Sequence, residues 1–290
     1  MTIIERAIQA ARAKAAIASA ATASTGEQPK PARSSSRVTP LPRPTHDSPD
    51  QIVAFPRIDT GGSLVTEVTD PKVYEQFRRL KRPLLQCAFG PLATPGTQTI
   101  MITSPLQGAG KTFISSNLAY ALALEKDRNV LLIDTDNANP TLTRQMGLIG
   151  RPGLYDLISD TALTLEQVVC RTDIPGLWIL PAGKTAPDSL ELLNSHRCQE
   201  IFRQLAERDS DGIIILDAPP LLITNEAPAV TVLAGQFLLV IEAGATPKSS
   251  VTRSLDMLDT KKPIGLVLNK ARSQSELGSY YPTYPYPTQG

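Results

Sequence analysis

Residues 103–119 read TSPLQGAGKTFISSNLA, and their reading decides the fold. They follow an apolar run of strand character, Thr99–Thr103 (TIMIT), and open a stretch of helical periodicity over 112–125. A glycine-rich turn between strand and helix, ending in Gly-Lys-Thr, is the setting that a phosphate-binding loop requires. Gly108 and Gly110, with Ala109 between them, let the backbone curl so that successive N–H groups point at phosphate oxygens. The helix opening at Lys111 adds its N-terminal dipole. Lys111 is expected to reach the β- and γ-phosphates of ATP, and the Thr112 hydroxyl to ligate Mg2+. Pro105 stands where the motif's first glycine is usual, so the match is to its relaxed form.

Outward from this loop, apolar runs recur with helix-length segments between them. They are 129–134 (NVLLID), 177–181 (LWILP), 212–217 (GIIILD), 236–242 (QFLLVIE) and 264–269 (IGLVLN). Continuous rather than alternating apolar strands indicate a sheet covered on both faces. With helical periodicity over 112–125 and 190–208, the pattern is one of repeated βαβ units. The fold expected is α/β, a P-loop NTPase with a mostly parallel sheet and helices on both faces. Asp134, Asp136 and Asp217 fall at strand carboxyl ends, where open parallel sheets bind their ligands. One such aspartate alone reads as a turn or helix cap. Three converging on a phosphate loop suit Mg2+, a hard cation that keeps several waters, with Thr112, Asp134 and Asp217 around it.

Bulk properties narrow the partners. With 29 Lys and Arg against 28 Asp and Glu, the charge of +1 makes no case for nucleic acid or anionic lipid. Cys87, Cys170 and Cys198 are scattered and form no Cys-x-x-Cys pair, which argues against a disulfide framework and against zinc or iron–sulfur sites. Such thiols fit a reducing cytoplasm. No apolar run approaches the ~18 residues of a membrane span. Glu5, Arg12 and Lys14 interrupt any signal peptide in the Ala-rich opening. A cytoplasmic protein is expected, reaching a membrane only through a partner.

The chain divides by composition. Residues 1–20 place Ile4, Ala7, Ile8, Ala11 and Ala15 at helical spacing and read as a short amphipathic helix. Residues 21–69 are rich in Pro, Ser and Thr, have few core formers, and read as a disordered linker. The globular domain is expected over 70–272 and a flexible tail over 273–290. Four of the seven tyrosines, Tyr280, Tyr281, Tyr284 and Tyr286, crowd into the last eleven residues among Pro282, Pro285 and Pro287.

Three blocks, SPLQGAGKT, LLIDTDNANP and IILDAPP, together resemble the bacterial tyrosine kinases. The similarity continues through RPGLYDLISD, LPAGKTAPDSLELLNS and LVLNK, roughly residues 73–270. YEQFRRLKRPLLQCAFG is similar to the autokinases that accompany exosortase-linked exopolysaccharide clusters. The resemblance implies that Lys111 and Thr112 hold ATP and Mg2+, that Asp134 and Asp217 organise the metal, and that Asp136 accepts the phenolic proton. It implies an adenine contact for Asn269, and phosphorylation of Tyr280, Tyr281, Tyr284 and Tyr286 in trans. It further implies a membrane-anchored polysaccharide chain-length determinant as activator, recruitment to the inner face of the cytoplasmic membrane, and a tyrosine phosphatase as counterpart. Self-association into a ring would use Glu75, Arg78 and Lys81.

Departures from the family pattern matter. Lys81 replaces an arginine and cannot make the same bidentate pair. Ala138 replaces the arginine of the second motif, a role that Arg144 could take over, and Asn225 stands where an acid is common. A regulatory ATPase of the partitioning or division-site type shares the fold but carries an extra lysine early in the loop. Leu106 and Gln107 occupy that place here, and such an ATPase has no use for the tyrosine tail. An iron–sulfur carrier lacks support without paired cysteines. Ala138 keeps open an ATP-binding regulator with weak kinase activity.

Overall fold

The computed structural model describes residues 52–57, 62–126 and 128–271. The helix expected over 1–20, most of the linker and the tail with its four tyrosines lie outside these residues. Within them the apolar runs become strands β1 (Thr99–Thr103), β2 (Val130–Asp134), β4 (Leu177–Leu180), β5 (Ile213–Asp217), β6 (Gln236–Glu242) and β7 (Ile264–Asn269). A two-residue strand that the sequence did not announce, β3 (Cys170–Arg171), precedes β4. The sheet order is β3-β4-β2-β5-β1-β6-β7. All neighbours run parallel except β3 with β4.

Alternate residues of each central strand feed two separate cores. Ile100, Ile102, Val130, Leu132, Ile213 and Ile215 point to one face, Met101, Leu131, Ile133, Ile214 and Leu216 to the other. The first face is covered by α1 (Pro71–Phe89), α2 (Lys111–Ala123) and α3 (Thr141–Gln145). The second is covered by α4 (Leu154–Ser159), α5 (Leu165–Val168), α6 (Ser189–Asn194), α7 (His196–Arg208), α8 (Glu226–Leu233) and α9 (Lys248–Asp256). Burial on both sides is why these strands read as unbroken apolar runs. The single helix expected over 190–208 is two. Ser195 takes an extended conformation at ψ 151°, and its side chain accepts the Cys198 N–H at 3.1 Å, starting α7 afresh.

Helix α1 begins where Asp70 accepts the N–H groups of Lys72 and Val73, with Pro71 in its first turn. Phe77 and Leu84 seat it on the sheet side, and the Phe77 ring meets Phe113 of α2 at 5.9 Å. The folded unit nevertheless starts earlier than the expected boundary at Asp70. Phe55, Leu64 and Val65 are buried. The Val53 N–H donates to the Arg171 carbonyl at 2.9 Å, and the Val65 N–H to Asn117 Oδ1 of α2 at 2.7 Å. This part of the linker is a strap fixed to the domain. Its few apolar anchors have no strand or helix period, so composition hid them.

Candidate active site

The site grows from the carboxyl end of β1. The Thr103 hydroxyl donates to the Pro219 carbonyl at 2.7 Å and the Leu221 N–H to the Ser104 carbonyl at 2.9 Å. These bonds tie the start of the loop to the segment that follows β5. Gly108 and Gly110 then adopt φ of +83° and +91°. That region disfavours any side chain, and a Cβ on Gly110 would also collide with the Asn269 amide. The positive φ alone favours glycine there, since the Asn269 side-chain tip can shift. Helix α2 opens directly afterwards, with its free N–H groups at the loop.

Two hydroxyls of α2 meet one carboxylate of β5. Thr112 Oγ1 donates to Asp217 Oδ2 at 2.7 Å, and Ser115 Oγ to Asp217 Oδ1 at 2.9 Å. Asp134 lies opposite Asp217 in the β2–β5 register. Its Oδ2 accepts the Thr143 N–H at 2.8 Å and hydroxyl at 2.7 Å, and its Oδ1 accepts the Asp136 N–H at 3.1 Å. Asp136 Oδ1 accepts the Asn139 N–H at 3.0 Å. Burial raises the pKa of Asp134, and the charge of Asp217 raises it further. Burial likewise raises Asp217, against the opposing hydrogen bond from Thr112 and charge of Lys111. Asp136 is raised by burial and held back by its Asn139 bond and by Lys111.

These residues fit Mg2+ with a nucleotide. Three desolvated carboxylates gather here with only Lys111 acting on two of them, Asp136 and Asp217, an arrangement that a divalent cation relieves. The available donors are all oxygen, as Mg2+ prefers. Among the described residues no three His, Cys, Asp or Glu side chains gather into a dedicated metal cage. Thr112, water and phosphate oxygens would complete the shell, with Asp134 and Asp217 orienting them.

The remaining expected residues divide. Asn269 reaches the loop, but onto its backbone: Nδ2 donates to the Ala109 carbonyl at 2.8 Å. Glu75 and Arg78 pair with each other on an exposed face at 3.1 Å. Lys81 turns inward instead, donating to the Ala121 carbonyl at 2.9 Å and pairing with Glu125 at 2.5 Å. Six helical positions separate Lys81 from Glu75, about 120° around the axis, with Arg78 midway between them. Arg144 lies 3.4 Å from Asn139 Oδ1, beside Ala138. Ser115, Thr143 and Lys270 belong to the site and were not anticipated. Ser115 alone had a signal, one turn beyond Thr112 on the same helix face.

A parallel sheet with this loop and these strand-end aspartates defines a P-loop nucleotide-binding domain. Residues 100–282, more than half of the chain, match the CobQ/CobB/MinD/ParA nucleotide binding domain. The chain is 30% identical over 223 residues to the tyrosine-protein kinase YwqD of Bacillus subtilis (strain 168), covering 74% of this chain and 90% of YwqD. It is 29% identical over 249 residues to the putative tyrosine-protein kinase EpsB of Ralstonia solanacearum, covering 81% of this chain and 32% of EpsB. The chain thus spans about a third or less of the length of several curated relatives it matches. The crystal structure of the VpsO kinase domain superposes with a TM-score of 0.58 at 30% identity, over 71% of this chain and 100% of that one. The chain belongs to the bacterial tyrosine kinase family.

Proposed function

We propose that this chain is an ATP-dependent protein-tyrosine kinase that phosphorylates Tyr280, Tyr281, Tyr284 and Tyr286 in trans between copies. One observation carries the reading. Asp136, a carboxylate raised by burial, lies within the field of Lys111 and adds its charge to that of Asp217, the acceptor of the Thr112 hydroxyl.

The backbone N–H groups from Gly108 to Gly110 hold the phosphates, and Lys111 offsets the charge that gathers on them. Thr112 would ligate Mg2+, with Asp134 and Asp217 fixing its waters. The metal, when bound, would supply positive charge that offsets the charge of the phosphates. Asp136 accepts the phenolic proton as the tyrosine oxygen bonds to the γ-phosphorus and the bond from that phosphorus to the bridging oxygen of ADP breaks. A pKa raised toward the working pH makes it a better matched base.

The role that follows is control of exopolysaccharide chain length, assembly and export. The activator is the cytoplasmic end of a membrane-anchored chain-length determinant, which brings the kinase to the inner membrane face. A tyrosine phosphatase resets the tail. Family membership and the resemblance to exopolysaccharide-linked autokinases support this reading. Transfer in trans is tested by mixing a chain that lacks residues 280–290 with a full-length Lys111→Met chain and Mg·ATP. Phosphotyrosine on the Lys111→Met chain is the expected result. No phosphotyrosine on the Lys111→Met chain, while the wild-type chain incubated alone labels its own tail, contradicts it.

A further inference from the structure

Glu242 ends β6 and Asn269 ends β7, paired in register at the edge of the sheet. Immediately beyond, Lys270 takes φ of +58°, the one non-glycine residue with positive φ among those described. A side chain makes this conformation unfavourable, so something must hold it. Here Lys270 Nζ donates to the Gly108 carbonyl at 2.8 Å and pairs with Glu242 Oε1 at 3.0 Å. Asn269 Nδ2 donates to the next carbonyl, that of Ala109, at 2.8 Å. The lysine head is half exposed, where an ion pair adds little to stability. Stability therefore does not explain the Lys270–Glu242 pair.

The chemistry of the peptide group does. The Gly108 carbonyl shares its amide with the Ala109 N–H, and the Ala109 carbonyl shares its amide with the Gly110 N–H. A donor at each oxygen fixes the peptide plane and, by polarising it, strengthens the N–H at the opposite end. Those are the N–H groups of the phosphate loop. Glu242 Oε2 also comes within 4.0 Å of where a Cβ on Gly108 would stand. Without Lys270, that carboxylate would be an unneutralised negative charge beside bound phosphate.

We propose that Lys270 and Asn269, with Glu242 orienting the lysine, form a clamp behind the loop that positions and polarises its peptides for nucleotide phosphate. This rests on the nucleotide-binding reading above. The lysine, the amide and the carboxylate are positioning residues and touch no reacting atom.

Titration of the full-length chain with Mg·ADP, alongside melting of the nucleotide-free protein, tests the clamp. Lys270→Met and Asn269→Ala should each weaken binding about five- to tenfold, as expected for a hydrogen bond from a charged or amide donor discounted for solvent. The nucleotide-free melting temperature should stay within about 2 °C. Lys270→Arg should bind within about threefold of the wild type, since its guanidinium can serve both acceptors. Adding Glu242→Gln to Lys270→Met should recover part of the loss. Unchanged affinity in Lys270→Met and Asn269→Ala, with binding abolished in Lys111→Met, overturns the clamp and leaves the loop standing. A melting temperature that falls in step with affinity also overturns it, since the residues are then supports of the fold. If Lys111→Met itself binds Mg·ADP normally, the nucleotide reading fails and the clamp falls with it.

Discussion

Thr112 gives its hydroxyl proton to Asp217 across 2.7 Å, joining the first turn of α2 to the end of β5. A hydroxyl that donates in this direction keeps its lone pairs free for a cation. Asp217 would therefore aim the Thr112 oxygen at the proposed Mg2+ without competing for it. Ser115 anchors the other carboxylate oxygen at 2.9 Å, so the aspartate cannot swing away.

This aim comes at a cost to the metal-free protein. Asp134 and Asp217 are both raised above the ordinary 3.8, Asp134 to about 7, chiefly by burial. Between these values the unfolded chain has released protons that the folded chain keeps, so stability falls as pH rises from about 4 and levels off near 7. Asp217→Asn removes one of the two charges and should escape much of that fall. Its stability relative to wild type should improve by on the order of 2 kcal/mol between pH 5 and pH 8. Denaturant unfolding at both pH values measures this, and a relative loss at pH 8 contradicts it. The same variant should lose about 100-fold in Mg·ATP-dependent activity, since the aim of Thr112 is gone.

Lys81 makes its contacts within the chain. Its head reaches the Ala121 carbonyl and Glu125 with a side chain only 12% exposed. Lys81→Met should cost about 1–3 kcal/mol, the penalty for leaving such partners unmet. Arg78→Ala, on the exposed face, should cost less than about 0.5 kcal/mol. In sedimentation velocity Arg78→Ala is the variant expected to weaken self-association. If Lys81→Met dissociates an assembly while its melting is unchanged, Lys81 belongs to the interface after all.

The strap should prove part of the fold. Phe55 is 2% exposed in the core beneath α1 and α2. Phe55→Ala should cost about 3 kcal/mol, or roughly 6–12 °C in melting temperature. A chain beginning at Asp70 also loses Leu64 and the Val65–Asn117 bond, and should melt lower still. Melting equal to that of the full chain would return the segment to the status of a linker.

Thiol reactivity gives an independent check on packing. Cys198 is fully buried and its thiol is pushed up to about 12, and burial raises Cys170 as well. Cys87 is also raised but remains partly accessible. At pH 8 a thiol reagent should modify Cys87 first, and Cys170 and Cys198 only on unfolding, because the thiolate is the reacting form. Early modification of Cys198 would show that the face covered by α7 is loosely packed.

The sheet and the loop were legible because their signals are local. An unbroken apolar run needs burial on both faces, and Gly-Lys-Thr after such a run needs a strand-to-helix turn. The strand-end aspartates followed from the same logic. What escaped depends on contacts between distant residues. Thr143 reaches Asp134 across nine positions and Lys270 reaches Gly108 across 162; no spacing in the chain signals either. The inward contacts of Lys81 with Ala121 and Glu125 across 40 and 44 positions likewise have no signal in the local spacing. Phe55 and Leu64 give no such signal, because isolated apolar residues in a polar stretch carry no period.

The proposed activity of this loop is transfer of phosphate to tyrosine. Incubation of the purified chain with Mg·ATP, followed by phosphosite mapping, tests it most directly. Phosphate should appear on Tyr280, Tyr281, Tyr284 and Tyr286 in the wild type and be absent from Lys111→Met. Nucleotide hydrolysis without phosphotyrosine, or phosphate on serine and threonine alone, would contradict the claim.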